Sequence, residues 1–253
     1  MNLKQLYFVV ILTLMFSCHN DYNLTKIEGK RIEINDSLTK DAQIEDFITP
    51  YRAYINKNLD SVLAYAPKTF SKKNGDLNTA IGNFMADAVF EESQPVFKKR
   101  TGKSIDFVLL NYGGIRSVIS KGPITKRTAF QVMPFENSVV VVALKGSKVL
   151  ELANYLATAK RAHPVSQQFK LVLDENFDIA NMSINGSDVD EDRMYYIATN
   201  DYLYNGGDSM SFFQPNSGVF NLDYKIRNVL IDHFIKNDTI EPKIDDRFIQ
   251  INR

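Results

Sequence analysis

Residues 137–144 read NSVVVVAL, and four consecutive valines make this the strongest strand signal in the chain. Lys145-Gly146 closes the run. Ser147 is then expected to cap a helix that continues through Leu156. Outward from this strand the apolar pattern alternates between the two periods. Residues 105–111 (IDFVLLN) read as a short buried strand that ends in Tyr112-Gly113-Gly114, and 193–199 (RMYYIAT) as another. Phe169–Leu173 and Asp178–Ile184 form an expected hairpin, with Asn185-Gly186 a turn signal. Helical spacing marks Asp41–Ala64, with a bend expected near Pro50, and Thr79–Val96, with Ile81, Phe84, Met85, Ala88 and Val89 on one face. Val62–Thr69 turns into a strand ending at Pro67, and a short helix starts at Pro123-Ile124-Thr125, with Thr125 its N-cap. Leu222–Ile235 is the expected last helix and Arg247–Ile251 the last strand. Interleaved helices and strands that include a hairpin predict an α+β class rather than a doubly wound parallel sheet.

The composition bounds the chemistry. The chain has 253 residues, zero formal net charge, 44% hydrophobic and 24% charged residues, as an ordinary globular protein does. One cysteine makes no internal disulfide and excludes CxxC redox sites and Cys-based zinc sites. Three histidines leave little room for a two-metal hydrolytic centre within this chain. Balanced charge gives no reason to expect a nucleic-acid partner, whose signature is a clustered Lys/Arg excess.

The N-terminus reads as a targeting segment. Lys4 precedes an eleven-residue apolar run, 6–16 (LYFVVILTLMF), the length of a signal-peptide core and too short to span a bilayer. The single cysteine follows at Ser17-Cys18, which resembles the lipobox of bacterial lipoproteins, although Met15 and Phe16 depart from the usual pattern. Residues 1–17 are expected to be a lipoprotein signal peptide and Cys18 the lipidated residue. The simpler alternative is a plain secretory signal. Each buried acyl CH₂ contributes about 0.8 kcal/mol, so several chains on one cysteine anchor the protein to a membrane. The expected location is the bacterial cell envelope, periplasm-facing or at the cell surface. Residues 18–40 are polar and mixed in charge, a flexible tether with one short strand at Arg31–Ile34, and 41–253 form the folded domain.

Four stretches stand out at the ends of expected elements: 80–88 (AIGNFMADA), 111–116 (NYGGIR), 132–137 (VMPFEN) and 198–208 (ATNDYLYNGGD). Each alone has a structural reading as helix packing, turn or core. Together they describe a nucleotide or nucleoside site. The glycines Gly113 and Gly114 let a backbone approach a ligand. The aromatics Phe135 and Tyr202 can clamp a planar ring, each stacked base being worth about 1–3 kcal/mol. Arg116 suits a phosphate through bidentate bonds. Asn111 and Asp208 suit base edges and hydroxyls.

In this order and spacing the four stretches resemble the C-terminal, substrate-binding domain of the 5′-nucleotidase and UDP-sugar hydrolase family, whose members read LGNLIADA, NGGGIR, LPFGN and ATNDFLAAGGDG. The likeness covers about residues 45–250. It implies a four-layer α/β/β/α fold. It also implies that Phe135 and Tyr202 stack on the two faces of the base, Asp208 binds ribose hydroxyls, Asn111 meets the base and Arg116 binds phosphate. Two departures bear on the grip. The family carries arginines in the loop before the LGN helix, where this chain has Lys72-Lys73-Asn74-Gly75-Asp76. Tyr112 replaces the first glycine of NGGGIR, which is expected to narrow the pocket.

The family's hydrolysis is done by an N-terminal metallophosphoesterase domain holding two metal ions. The DxH, GNH and GH motifs of that domain do not occur here: Gly82-Asn83 is followed by Phe84, and His19, His163 and His233 lie in the tether, a loop and the last helix. The resemblance therefore implies the nucleotide-binding half of a phosphohydrolase, with no catalytic residue and no cofactor in this chain. Divalent metals are expected in a separate metallophosphoesterase chain. The alternative is a non-catalytic nucleoside- or nucleotide-binding lipoprotein for capture or sensing.

Overall fold

A computed structural model describes Asn2 and residues 24–251. Apart from Asn2, the expected signal peptide lies outside the described residues, as does Cys18. The chain divides into two compact units, residues 1–48 and 49–253. In the first, residues 24–41 are exposed and carry no helix or strand, so the strand expected at Arg31–Ile34 is not formed. Helix α1 (Ala42–Leu59) begins in the first unit and ends in the second, and none of its side chains is buried. It stops five residues short of the expected Ala64. Val62–Leu63, read as its last apolar turn, belong instead to strand β1 (Val62–Ala66), which pairs antiparallel with β3 (Gly122–Thr125).

The second unit is built around a mixed four-stranded sheet in the order β2 (Phe107–Val108), β8 (Met194–Asn200), β4 (Ser138–Lys145), β9 (Val219–Lys225). β4 pairs antiparallel with both neighbours, and β2 runs parallel to β8. The valine run is explained by its central place. Successive side chains point to opposite faces, and both faces are covered. Val139 and Val141 enter one core beneath helices α2 (Ala80–Thr101) and α6 (Ile226–Lys236). Val140, Val142 and Leu144 enter a second core. Its far walls are helix α4 (Gly146–Ala159) and an outer sheet, β10 (Phe248–Gln250), β5 (Phe169–Leu173), β6 (Ile179–Ile184), β7 (Ser187–Asp188). The predicted hairpin is β5–β6, and Asn185-Gly186 makes the next turn, both residues at positive φ. The α+β class stands, with a helical layer, two sheets and α4 stacked around two cores.

The corrections concern element ends. α2 starts at its N-cap Thr79, whose hydroxyl accepts from the Gly82 N–H at 3.2 Å, but continues past Val96 because Phe97 is fully buried. It stops at Gly102, where φ is +72°. Residues 122–125 are strand β3 rather than the start of a helix. Thr125 does cap the following α3 (Lys126–Val132), through a capping box with Thr128. Ser147 does not cap α4. The helix begins one residue earlier, and its first N–H groups are taken by backbone: Gly146 donates to the Arg193 carbonyl and Ser147 to that of Glu191. Only glycine fits at 146, since a Cβ there would lie 1.9 Å from the Asp190 carbonyl oxygen. Residues 222–225 are not the first turn of the last helix but the end of β9, whose register runs from Val219 opposite Val142 to Lys225 opposite Ser138. Asp223 at φ +51° interrupts the strand alternation there.

Candidate functional site

Antiparallel pairing of β4 with β8 places the start of β4 beside the end of β8, with Val139 opposite Asn200. The parallel strand β2 ends at the same edge. Three of the four singled-out stretches therefore meet there. They enclose a cavity of about 350 Å³ lined by Asn111, Gly113, Arg116, Phe135, Asn137, Tyr202 and Asp208. Phe135 and Tyr202 are 41% and 46% exposed, so each keeps ring surface accessible at the cavity. Of the predicted residues only Gly114 does not line the cavity. It is buried behind Asn111, and a Cβ on it would come within 3.0 Å of the Asn111 Oδ1.

Each wall is held from behind. Asn200 caps helix α5 (Asp201–Tyr204) by accepting from the Leu203 N–H at 2.8 Å, while its Nδ2 donates to the Asn111 Oδ1 at 3.1 Å. That bond orients the Asn111 amide. Asp201 joins the two aromatic loops: one carboxylate oxygen accepts from the Ser138 N–H at 3.2 Å, the other from the Tyr202 N–H at 2.8 Å. The Phe135 loop is gripped from the end of β9 and the start of α6. Lys225 and Arg227 both donate to the Glu136 carboxylate and hold its pKa down at about 2. The Arg227 guanidinium also lies 4.1 Å above the Phe130 ring.

On the opposite wall the Tyr202 hydroxyl donates to Asp208 Oδ1 at 2.9 Å, and the Asp208 N–H donates back to that hydroxyl at 3.3 Å. Tyr155 donates to the Asp208 carbonyl at 2.7 Å. Gly207 allows the tyrosine to lie flat on the loop, since a Cβ there would sit 2.4 Å from the ring.

Arg116, also in the lining, is exposed, its guanidinium carbon 5.8 Å from the Phe135 centroid. It makes no ion pair among the described residues, so its charge is open to an anion. Lys72 is differently employed. Its Nζ donates to the Ile115 carbonyl at 2.7 Å and lies 4.4 Å above the Tyr112 ring, propping the NYGG loop. Burial, then the charges of Arg116, Lys73 and Arg161, lowers its pKa. Tyr112 does not narrow the pocket as expected: its ring lies outside the cavity lining, with Lys72 on it and Arg161 5.7 Å from its centroid. Behind this loop His163 is 2% exposed and accepts the Tyr112 N–H at its Nδ1. Burial pushes its pKa down to about 4, so it is a neutral prop at neutral pH.

The first stretch, 80–88, lies away from the cavity. Its polar residues build a buried network instead. Asn83 Nδ2 donates to Asn78 Oδ1 and to the Lys243 carbonyl, both at 3.0 Å. Asp87 accepts from Arg247 at 2.9 Å, and Arg247 also holds Asp245 and the Val165 carbonyl. These residues tie α2 to the C-terminal strand. Among the described residues no group of three or more His, Cys, Asp or Glu side chains is placed to hold a metal ion.

Two aromatic rings, a carboxylate and a guanidinium thus line one surface cavity, groups whose chemistry suits a flat ring, hydroxyls and an anion. Residues 61–215, which contain every cavity-lining residue, match the family model described as the 5′-nucleotidase, C-terminal domain. The chain belongs to that family. It is similar to a 5′-nucleotidase of Vibrio parahaemolyticus, with 26% identity over 85% of this chain and 37% of the relative. It is also similar to an apyrase of Tabanus yao, with 25% identity over 88% of this chain and 43% of the relative. Among solved structures, the 5′-nucleotidase precursor from Thermus thermophilus superposes with a TM-score of 0.68 at 22% identity, covering 83% of this chain and 42% of that one. The chain thus spans about two fifths of the length of these relatives.

Proposed function

We propose that this chain is the nucleotide- or nucleoside-binding part of a 5′-nucleotidase-type phosphohydrolase in nucleotide catabolism. In this reading the base lies between Phe135 and Tyr202, the sugar hydroxyls meet Asp208, the base edge meets Asn111 and the phosphate meets Arg116. Gly113 leaves room for the ligand beside the NYGG loop. The observation that carries it is that the two exposed aromatics line the same cavity of about 350 Å³ as Asp208 and Arg116. Hydrolysis is assigned to a separate metallophosphoesterase chain that supplies the divalent metals. Export and lipidation at Cys18 place the domain at the surface of a bacterial envelope membrane, where a partner on the same surface gains effective concentration.

Two measurements test this. Calorimetry on the whole chain with adenosine, AMP, uridine and UMP should give saturable binding that Phe135→Ala weakens. Addition of a metallophosphoesterase chain encoded beside it should then raise nucleotide hydrolysis. Absence of binding to every nucleoside and nucleotide would reject the site. Binding without any gain of hydrolysis or association would reject the partner and leave a capture or sensing role.

A further inference from the structure

The exchange of phenylalanine for tyrosine at 202 keeps a stacking face, but the added hydroxyl is not idle. Tyr202 Oη donates to Asp208 Oδ1 and receives the Asp208 N–H, closing a ring of two hydrogen bonds between the aromatic wall and the carboxylate. Asp208 has a left-handed backbone, φ +51°, which a non-glycine residue adopts at a cost. Tyr155 fixes its carbonyl from the other side. Only Oδ2 of the carboxylate makes no hydrogen bond among the described residues, and Asp208 lines the cavity. An untethered aspartate would rotate about its side-chain torsions and would lose that freedom when a ligand bound. A tethered one has lost it already, which favours binding through preorganisation.

We propose that the Tyr202 hydroxyl is a specificity-determining group, which holds the Asp208 carboxylate so that Oδ2 accepts from a sugar hydroxyl and the site selects hydroxyl-bearing nucleosides over those without. The inference rests on the nucleoside-binding reading above and adds to it the determinant of sugar choice. Stacking and sugar recognition then separate: the ring of residue 202 serves the base and its hydroxyl serves the sugar, by way of Asp208.

The test uses the whole chain, Tyr202→Phe, Asp208→Asn and the double variant. Each is titrated with adenine, adenosine and the dideoxynucleoside that lacks both sugar hydroxyls. Adenine affinity, which reports the base contacts without the sugar, is the reference against which sugar preference is read in the parent and in Tyr202→Phe. That variant's preference for adenosine over the dideoxynucleoside should fall by roughly two- to tenfold, the range expected for freeing one side chain. In the Asp208→Asn background the same exchange should no longer change the preference, because the two residues act as one unit. An unchanged preference in Tyr202→Phe, with parental adenine binding, overturns the inference and leaves the slot reading intact. Failure of the parent chain to bind any of the three overturns both.

Discussion

Replacing Arg247 by methionine separates the structural from the ligand-binding motifs. Arg247 is 6% exposed, and its guanidinium donates to Asp245, to Asp87 Oδ1 at 2.9 Å and to the Val165 carbonyl at 2.9 Å. Methionine keeps most of the volume and removes every donor. Removing one partner of a fully buried ion pair costs about 3–5 kcal/mol. The side chains of Asp87 and Asp245 are 25% and 39% exposed, so water recovers part of that loss. The Val165 carbonyl loses a bond within the core, worth about 1–3 kcal/mol. A net loss of about 3 kcal/mol follows. With a urea dependence of about 2 kcal/mol per molar, the unfolding midpoint should fall by about 1.5 M. Because this network lies away from the aromatic slot, nucleoside affinity below the transition should stay within about twofold. A midpoint shift under about 0.3 M would refute the reasoning about the network. Lost affinity at unchanged stability would refute the placement of residues 80–88 outside the site.

Phe135→Ala should weaken nucleoside binding by about 5- to 150-fold, the equivalent of one lost stacking face, with no change in the urea midpoint because the ring is 41% exposed. Gly207→Ala forces a methyl to within 2.4 Å of the Tyr202 ring, and calorimetry should show weaker binding, with the base and sugar contributions both reduced. His163 is held neutral by burial, with a folded pKa of about 4 against about 6.5 when unfolded. Between those values the unfolded chain binds more protons, so stability falls as pH drops from 6.5 toward 4, by up to about 3 kcal/mol. His163→Asn should flatten the melting-temperature profile across that window. An equally steep profile in the variant would show that other groups govern it.

Much of the fold was legible because burial wrote it into the side chains. The unbroken valine run of β4 is what a strand with a core on each face requires, and Thr125 marks the cap of its helix. β9 was not legible: residues 219–225 read VFNLDYK, and a strand broken at Asp223 blends into the helical spacing of 226–235. The start of α4 was misread because its cap is backbone from the 190–193 loop, which no local pattern records. At the site, six of the seven residues that line the cavity were named from short motifs, and the seventh, Asn137, lay at the end of the 132–137 stretch without a role. Those that hold the walls were harder to see. Asn200 and Asp201 lay inside a quoted motif without a role, and Arg227 reaches Glu136 across 91 residues, a pairing sequence spacing cannot suggest. The stretch 80–88 was as conspicuous as the others, yet its amides and carboxylate serve the interior.

The two aromatic walls leave the same edge of the sheet from neighbouring strands, and Asp201 binds both loops to that edge. The two loops are therefore rooted on adjacent, hydrogen-bonded strands. A ligand bound in the proposed site would bridge loops that leave β4 and β8, and its binding free energy would add to the stability of the fold. Saturation at one hundred times the dissociation constant would raise the unfolding free energy by about 2.7 kcal/mol. A thermal-shift screen of nucleosides and nucleotides on the unlabelled protein would then rank ligands by affinity, before any enzymatic partner is in hand.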